Sequence, residues 1–267
     1  MNTRARAALL AACFPAFILL PGETLAAQDT EIRILCSNGI RAAVEKLLPE
    51  YERSMGRSMK VQYGASAVLK RSIQGGEAFD LALLSQPIIG DLIKEGKIAA
   101  GTGVDLAASG IGIAVRAGSP KPDVNSPEAI KQTLLHAKSI GYVKEGAGTP
   151  AIINMLDRLG ISEDVQRKTV LQPGAERSMA SVAEGQIDVA FALISEILPA
   201  PGVQLAGPLP PEFQKRIIMT AGIASSTKNR EAASQIIKSL TSAAAATTIK
   251  ATGLDPIAKQ KRSLRSN

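Results

Sequence analysis

Short apolar stretches that alternate with helical patterns constrain the fold of this chain most. The stretch 32–36 has the composition of a buried strand, and a small polar loop separates it from a helical pattern over 40–55. The same unit recurs twice before residue 100 and resumes after Ser126-Pro127, which is typical of a helix start. Repeated βα units predict parallel strands covered by helices on both faces of the sheet. We therefore expect an α/β fold.

The order of these units divides the chain into two blocks. An extended stretch at 109–116 leads from the first block to the second, and a long apolar stretch at 216–224 leads back. A chain of 267 residues is also long enough for its core to split. We expect two lobes, each a mainly parallel sheet flanked by helices, joined by two crossover strands. The expected bounds are 28–110 with 222–267 for lobe I, and 111–221 for lobe II.

Residues 1–27 have the pattern of a secretory signal peptide. Arg4 and Arg6 precede an apolar run that is shorter than the roughly 20 residues of a membrane span, and Ala27 supplies a small residue at the expected cleavage site. The segment that ends at Cys13 resembles the cysteine box of bacterial lipoproteins, so a lipid anchor is the alternative to cleavage. The expected location is the periplasm of a bacterium.

Composition argues against several classes of function. Aromatic residues make up 3% of the chain, too few for platforms on which bases or sugar rings stack. The net charge is +7, but Lys and Arg are interleaved with Asp and Glu except in a basic tail at 259–265, so nucleic acid is not an expected partner. With a single histidine, His136, and no H-E-x-x-H or C-x-x-C spacing, neither a metal site nor a cofactor is expected.

Four small polar loops lie where a predicted strand gives way to a helix. They occupy 37–39, 64–66, 146–149 and 173–175. The first N–H groups of a helix have no partner within the helix and the helix dipole favours negative charge there, while Gly, Ala and Ser let a ligand approach the backbone. Four converging helix starts predict a site for a small anion. Ordinary turn chemistry of short βα loops is the alternative explanation.

The segments that carry these loops resemble a known family. The stretches 32–44, 62–73, 79–83, 146–160 and 184–196 are similar in order and content to the periplasmic molybdate-binding proteins of ABC importers. The resemblance implies a two-lobed fold that closes on its ligand, and a membrane permease with its ATPase as the partner. It also implies an oxyanion held by serine hydroxyls and backbone amides from four loops, with a tyrosine hydroxyl added in many members.

The match to the family's binding residues is partial. Ser66 stands at the second-loop serine position, and the backbone donors fall at about Gly148 and Ala175. Gly39 and Leu193 stand where the family has a serine and a tyrosine, so we expect Ser37 or Asn38 to substitute. The residues that we predict to bind the ligand are Ser37, Asn38, Gly39, Ala65, Ser66, Gly148, Thr149, Ala175 and Arg177.

Cations beside the loops leave two ligand classes open. Arg41 and Arg177 lie at predicted helix starts, and a guanidinium pairs with a carboxylate through two parallel hydrogen bonds. A di- or tricarboxylate is therefore an alternative to a molybdate-like oxyanion.

A secreted serine hydrolase is the alternative from another functional class. The stretch 64–68 resembles the nucleophile elbow G-x-S-x-G around Ser66, but Val68 replaces the last glycine. His136, which would have to act as the base, lies in the middle of a predicted helix. We expect a monomeric, non-enzymatic solute-binding protein that closes by hinge motion.

Overall fold

Eleven strands form two sheets in residues 31–257, the part of the chain that this computed structural model describes. The strands are β1 (Glu31–Ser37), β2 (Ser58–Gly64), β3 (Leu81–Ser85), β4 (Val104–Ser109), β5 (Ile111–Arg116), β6 (Ile140–Val143), β7 (Thr169–Gln172), β8 (Val189–Leu193), β9 (Val203–Pro208), β10 (Ile217–Ile223) and β11 (Asp255–Pro256). The six-stranded sheet has the order β11-β4-β10-β3-β1-β2, and the five-stranded sheet has the order β7-β6-β8-β5-β9.

Helices flank both sheets. They are α1 (Asn38–Met55), α2 (Ser66–Gln74), α3 (Gln86–Lys94), α4 (Pro127–His136), α5 (Thr149–Leu159), α6 (Ser162–Gln166), α7 (Ala175–Ala183), α8 (Ile194–Ile197), α9 (Arg230–Leu240) and α10 (Ala243–Ala251). Ser126 and Ser242 cap α4 and α10 by accepting a hydrogen bond from an N–H of the first turn. The expected two-lobed α/β architecture is confirmed. The sheets are mixed instead of mainly parallel, because β10 pairs antiparallel with β3 and β4 in the first sheet and β5 pairs antiparallel with β8 and β9 in the second.

Parallel pairing brings the predicted loops together two by two. In the first sheet β1 runs parallel to β2, and the register places Ser37 beside Gly64 at their carboxyl ends. In the second sheet β6 runs parallel to β7, and Val143 lies beside Gln172. Each of these four strands is followed by a helix. The carboxyl ends of the strands therefore bring together the starts of α1 and α2 in the first sheet and of α5 and α7 in the second.

The strands at the two expected crossovers differ in detail from those that the sequence predicts. The stretch 109–116 contains the end of β4 and all of β5, which belong to different sheets and meet at Gly110. The second part of lobe I was expected to begin at residue 222, which lies within β10. Because β10 pairs antiparallel with β3 and β4, the chain re-enters the first sheet at Ile217. Strand β9, which ends just before this return, was missed in the sequence analysis.

One continuous hydrophobic cluster contains buried residues of both sheets. It includes Ile34 and Leu83 from the first sheet, Ile111 and Phe191 from the second, and Met219 from the returning strand, all at most 1% exposed. None of the helices in residues 31–257 combines the length and the apolar character needed to cross a membrane. The predicted signal peptide, Cys13 and the basic tail at 259–265 lie outside the described residues.

The side chain of Gln214, which precedes β10, bonds to the backbone at the start of β5. Its Oε1 accepts a hydrogen bond from the backbone N–H of Ile111 at 2.7 Å, and its Nε2 donates to the carbonyl of the same residue at 2.9 Å. The carbonyl of Ile111 also accepts from the N–H of Leu209 at 3.0 Å. Since Ile111 is fully buried, its N–H relies on Gln214 in this structure.

We expect Gln214→Ala to lower the free energy of unfolding by about 1–3 kcal/mol, because it leaves the buried N–H of Ile111 without a partner. Urea unfolding measures this change. Gln132→Ala is the control, since that exposed glutamine bonds only to Glu128 on its own helix surface. Equal stability of the two variants would contradict the role assigned to Gln214.

Candidate functional site

Four helix starts meet in one cleft between the two sheets. Helices α1 and α2 approach from the first sheet, and α5 and α7 approach from the second. The residues at these four starts that line the cleft are Ser37, Asn38, Ala65, Ser66, Gly148, Thr149 and Ala175. The structure therefore brings together every predicted binding residue except Gly39 and Arg177.

The cleft is narrow. Its volume is about 40 Å³, counted over the positions that the centre of a water-sized sphere can take. One water molecule needs roughly 10–15 Å³ by this measure, so the cleft has room for a group of a few atoms. An oxyanion or a single carboxylate group matches that size.

Two serine hydroxyls are free to donate into the cleft. Ser37 Oγ accepts a hydrogen bond from the N–H of Gly39 at 3.3 Å, and Ser66 Oγ accepts from the N–H of Ser85 at 3.0 Å. Neither hydroxyl donates to a protein acceptor within residues 31–257, so each proton is available to a ligand. Thr149 differs, because its hydroxyl donates to the carbonyl of Val143 at 2.6 Å.

Gly39 is a correction to the predicted set. It is buried beneath the cleft instead of lining it. A Cβ atom at this position would lie 2.5 Å from Met219 Cε and 2.8 Å from Leu193 Cδ1. Leu193 therefore fills the space that a side chain at position 39 needs, so the two departures from the molybdate-binding pattern pack against each other.

Arg177 is the second correction. It is the third residue of α7, and its side chain extends away from the cleft. Its Nη1 is 3.7 Å from Glu184, and its Nη2 donates to Gln186 at 3.3 Å. Its side chain is 53% exposed. A residue in the first turn of a helix does not necessarily face the ligand, because successive residues differ by about 100° around the axis.

The remaining wall of the cleft is mostly apolar, and sequence reasoning missed it apart from the predicted loop residues Gly146 and Ala147 and the position of Leu193. It is formed by Ile111, Val143, Gly146, Ala147, Ile152, Phe191, Ala192 and Leu193, together with the carboxyl side chain of Glu196. Val143 and Leu193 each end a predicted strand, and this position could have indicated that they line the cleft. Nothing in the local pattern marked Ile111 or Ile152, which reach the cleft only through tertiary packing.

Glu196 is the only ionisable residue that lines the cleft in the described part of the chain. Its Oε2 accepts a hydrogen bond from the N–H of Leu193 at 3.1 Å, which closes the first turn of α8. Burial raises the pKa of this carboxyl from 4.5 to about 7, against the smaller opposing effect of that hydrogen bond. The cleft therefore contains a group that titrates near neutral pH.

Polar contacts tie the two sides of the cleft together. Arg41 on α1 pairs with Glu176 on α7 at 2.8 Å, and Arg71 on α2 pairs with Glu145 at 2.6 Å. Ser195 Oγ donates to the carbonyl of Gly39 at 2.8 Å. The ion pairs are solvent-exposed and therefore weak, because water and salt screen them.

The arrangement does not support a hydrolase. His136 lies on α4, where Nδ1 contacts the carbonyl of Gln132, and it borders a surface pocket that does not include Ser66. Ser66 therefore lacks a histidine to accept its proton. Within residues 31–257 no three His, Cys, Asp or Glu side chains are grouped as metal ligands.

Residues 32–255 match the family model described as bacterial extracellular solute-binding protein. The chain belongs to this family. It is 30% identical over 251 residues to an aconitate isomerase of Pseudomonas sp, a match that covers 92% of this chain and 95% of that protein.

Two further matches concern Azotobacter vinelandii. The chain is 24% identical over 238 residues to the molybdate-binding protein ModA of this organism, covering 85% of this chain and 91% of ModA. The solved structure of an Azotobacter vinelandii periplasmic molybdate-binding protein superposes with a TM-score of 0.68 at 18% identity, covering 86% of this chain and 100% of that one. This structural likeness shows the shared two-lobed fold.

We expect stability to depend on pH through Glu196. Because its pKa is about 7 in the folded protein and near 4.5 when unfolded, its contribution is present below pH 4.5 and is lost as the pH rises through 7. Glu196→Gln removes this dependence, so the variant should gain about 2–3 kcal/mol over the wild type between pH 5 and pH 8.

Urea unfolding of both proteins at the two pH values measures this difference. Glu212→Gln is the matched control, because Glu212 is an exposed carboxylate away from the cleft. Parallel pH profiles for wild type and Glu196→Gln would contradict the raised pKa that partial burial gives Glu196.

Proposed function

We propose that this protein captures a small anion in the periplasm and delivers it to the membrane permease of an ABC importer. The observation that carries the proposal is the meeting of four helix starts in one closed cleft. Helices α1, α2 and α5 have no acidic residue in the first turn, and the one acidic residue of α7, Glu176, pairs with Arg41. The N–H groups of Gly39 and Thr149 already bond to Ser37 Oγ and to the carbonyl of Gly146, so the ligand takes the other N–H groups at the four helix starts.

Neutral donors hold the anion in this proposal. The ligand bonds to the hydroxyls of Ser37 and Ser66 and to backbone N–H groups at the four helix starts, and no Lys or Arg side chain lines the described cleft. Such donors suit a molybdate-like oxyanion, and they suit one carboxylate group of a di- or tricarboxylate equally well. The relatives named for molybdate and for aconitate correspond to these two classes.

Closure follows from where the donors lie. Ser37 and Ser66 belong to the first sheet, whereas Gly148 and Ala175 belong to the second, so an anion completes its hydrogen bonds only when the lobes are together. The ligand then favours the closed form by its greater affinity for it. We infer that the protein works as a monomer without nucleic acid, and that the closed form is the one that the permease recognises.

We expect Ser66→Ala to weaken anion binding by about 1.5–3 kcal/mol, because it removes one hydrogen bond to a charged ligand. Ser72→Ala is the control on the same helix, since Ser72 does not line the cleft and its hydroxyl donates only to the carbonyl of Val68. Arg177→Ala should leave affinity unchanged. Calorimetric titration with molybdate and with trans-aconitate measures all three variants.

The opposite order of effects would contradict the proposal. If Arg177→Ala weakens binding while Ser66→Ala does not, the ligand lies on the outer face of α7 and not in the cleft. If neither substitution changes the affinity for an anion that binds, the site is elsewhere in the molecule.

Carboxylate isomerisation is a second candidate function, favoured by the position of Glu196. An isomerase of an unsaturated acid must remove a proton from one carbon and return it to another while the double bond shifts. Glu196 places a carboxyl with a pKa of about 7 in the cleft, in the range that suits proton transfer at neutral pH. The relative named aconitate isomerase is consistent with this candidate.

Incubation with trans-aconitate in deuterated water separates the two candidates. An isomerase produces the cis isomer with deuterium incorporated at carbon, as seen by proton magnetic resonance, and Glu196→Gln stops the conversion. A pure binding protein binds and releases trans-aconitate without conversion or exchange.

A further inference from the structure

We propose that Glu196 carries a proton when the cleft is occupied, so that capture of a dianion takes up one proton from solvent onto this carboxyl. This inference rests on the proposed anion-binding function and adds its regulation by pH.

The position of Glu196 exposes one of its oxygens to the ligand space. The side chain lines both the cleft and a larger adjoining pocket, which we call the side pocket and which includes Arg41, Glu45, Met179 and Pro199. Its Oε2 is held by the N–H of Leu193, whereas Oε1 has no protein donor among residues 31–257. A proton on Oε1 is therefore free to point towards a bound anion.

No cation neutralises Glu196 in place of a proton. The charged groups that face it across the side pocket are Arg41 and Glu45 from α1 and Glu176 from α7. Arg41 is already bonded to both carboxylates, at 2.7 Å to Glu45 and 2.8 Å to Glu176. Strands β5 and β8, which also pack against α8, line the cleft with apolar residues only, and β9, the third strand against α8, contributes no residue to either pocket.

An ionised Glu196 and a dianion are incompatible in so narrow a cleft. Two like charges a few ångströms apart repel, so the bound anion favours the protonated carboxyl. The protonated form also supplies an O–H donor. This donor replaces the hydroxyls that Gly39 and Leu193 do not provide, and it lies three residues after the second of these positions on the same turn.

In the free protein, the protonation state of Glu196 changes near neutral pH. With a pKa of about 7, Glu196 is mostly protonated at pH 6 and mostly ionised at pH 8. If only the protonated form binds, affinity falls about tenfold between pH 6 and pH 8, and binding at pH 8 takes up close to one proton. Release of the anion returns that proton to solvent.

Calorimetry in two buffers of different ionisation enthalpy tests the proposal, because it counts the protons taken up on binding. Wild type and Glu196→Gln are titrated with molybdate and with trans-aconitate at pH 6, 7 and 8. The glutamine keeps a donor and the bond from Leu193 but does not titrate, so any protonation of the anion itself cancels in the comparison. Glu45→Gln is the matched control, since Glu45 lines only the side pocket.

We expect wild type and Glu45→Gln to lose about tenfold in affinity from pH 6 to pH 8 and to take up a proton at pH 8. Glu196→Gln should show neither effect beyond that of the anion. The same pH dependence and proton uptake in wild type and Glu196→Gln would overturn the proposal and leave anion binding intact. The absence of binding by wild type at every pH would instead overturn the proposed function, and this inference with it.

Discussion

The convergence of the starts of α1, α2, α5 and α7 is the constraint on which the rest of the site depends. The N–H groups in the first turn of a helix have no acceptor within the helix, and a buried N–H without a partner costs about 1–3 kcal/mol. An anion between the four helix starts satisfies them and is favoured by four helix dipoles at once. The two-lobed fold brings these four starts together between the sheets.

The cleft combines this positive field with a carboxyl group, and that pairing distinguishes it from a simple oxyanion site. Leu193 and Gly39 pack against each other where two hydroxyl donors are expected by resemblance, and Glu196 enters the wall on the turn that follows. We propose that its titration near neutral pH serves either as a protonated donor to a bound anion or as a proton-transfer group for an unsaturated acid. Both proposals depend on the position of Glu196 in the narrow cleft.

Local sequence patterns predicted most of the fold and the core of the site. The helix starts at Ser37, Ser66 and Ala175 were predictable because small polar loops between strand and helix mark both the fold and the exposed N–H groups. The orientation of Arg177 was not predictable, since it depends on where Glu184 and Gln186 lie in the folded chain. The role of Glu196 depends equally on tertiary burial, which no local pattern encodes.

The central claim is that a small anion binds to the backbone at the four helix starts. Backbone amide resonances of the isotopically labelled protein, followed by magnetic resonance during titration with molybdate and then trans-aconitate, test this claim most directly. The account predicts the largest shifts at Asn38, Ser66, Gly148 and Ala175 together, on both sides of the cleft. Saturable shifts confined to other regions, such as the pocket beside His136, or no shifts with either anion, would contradict it.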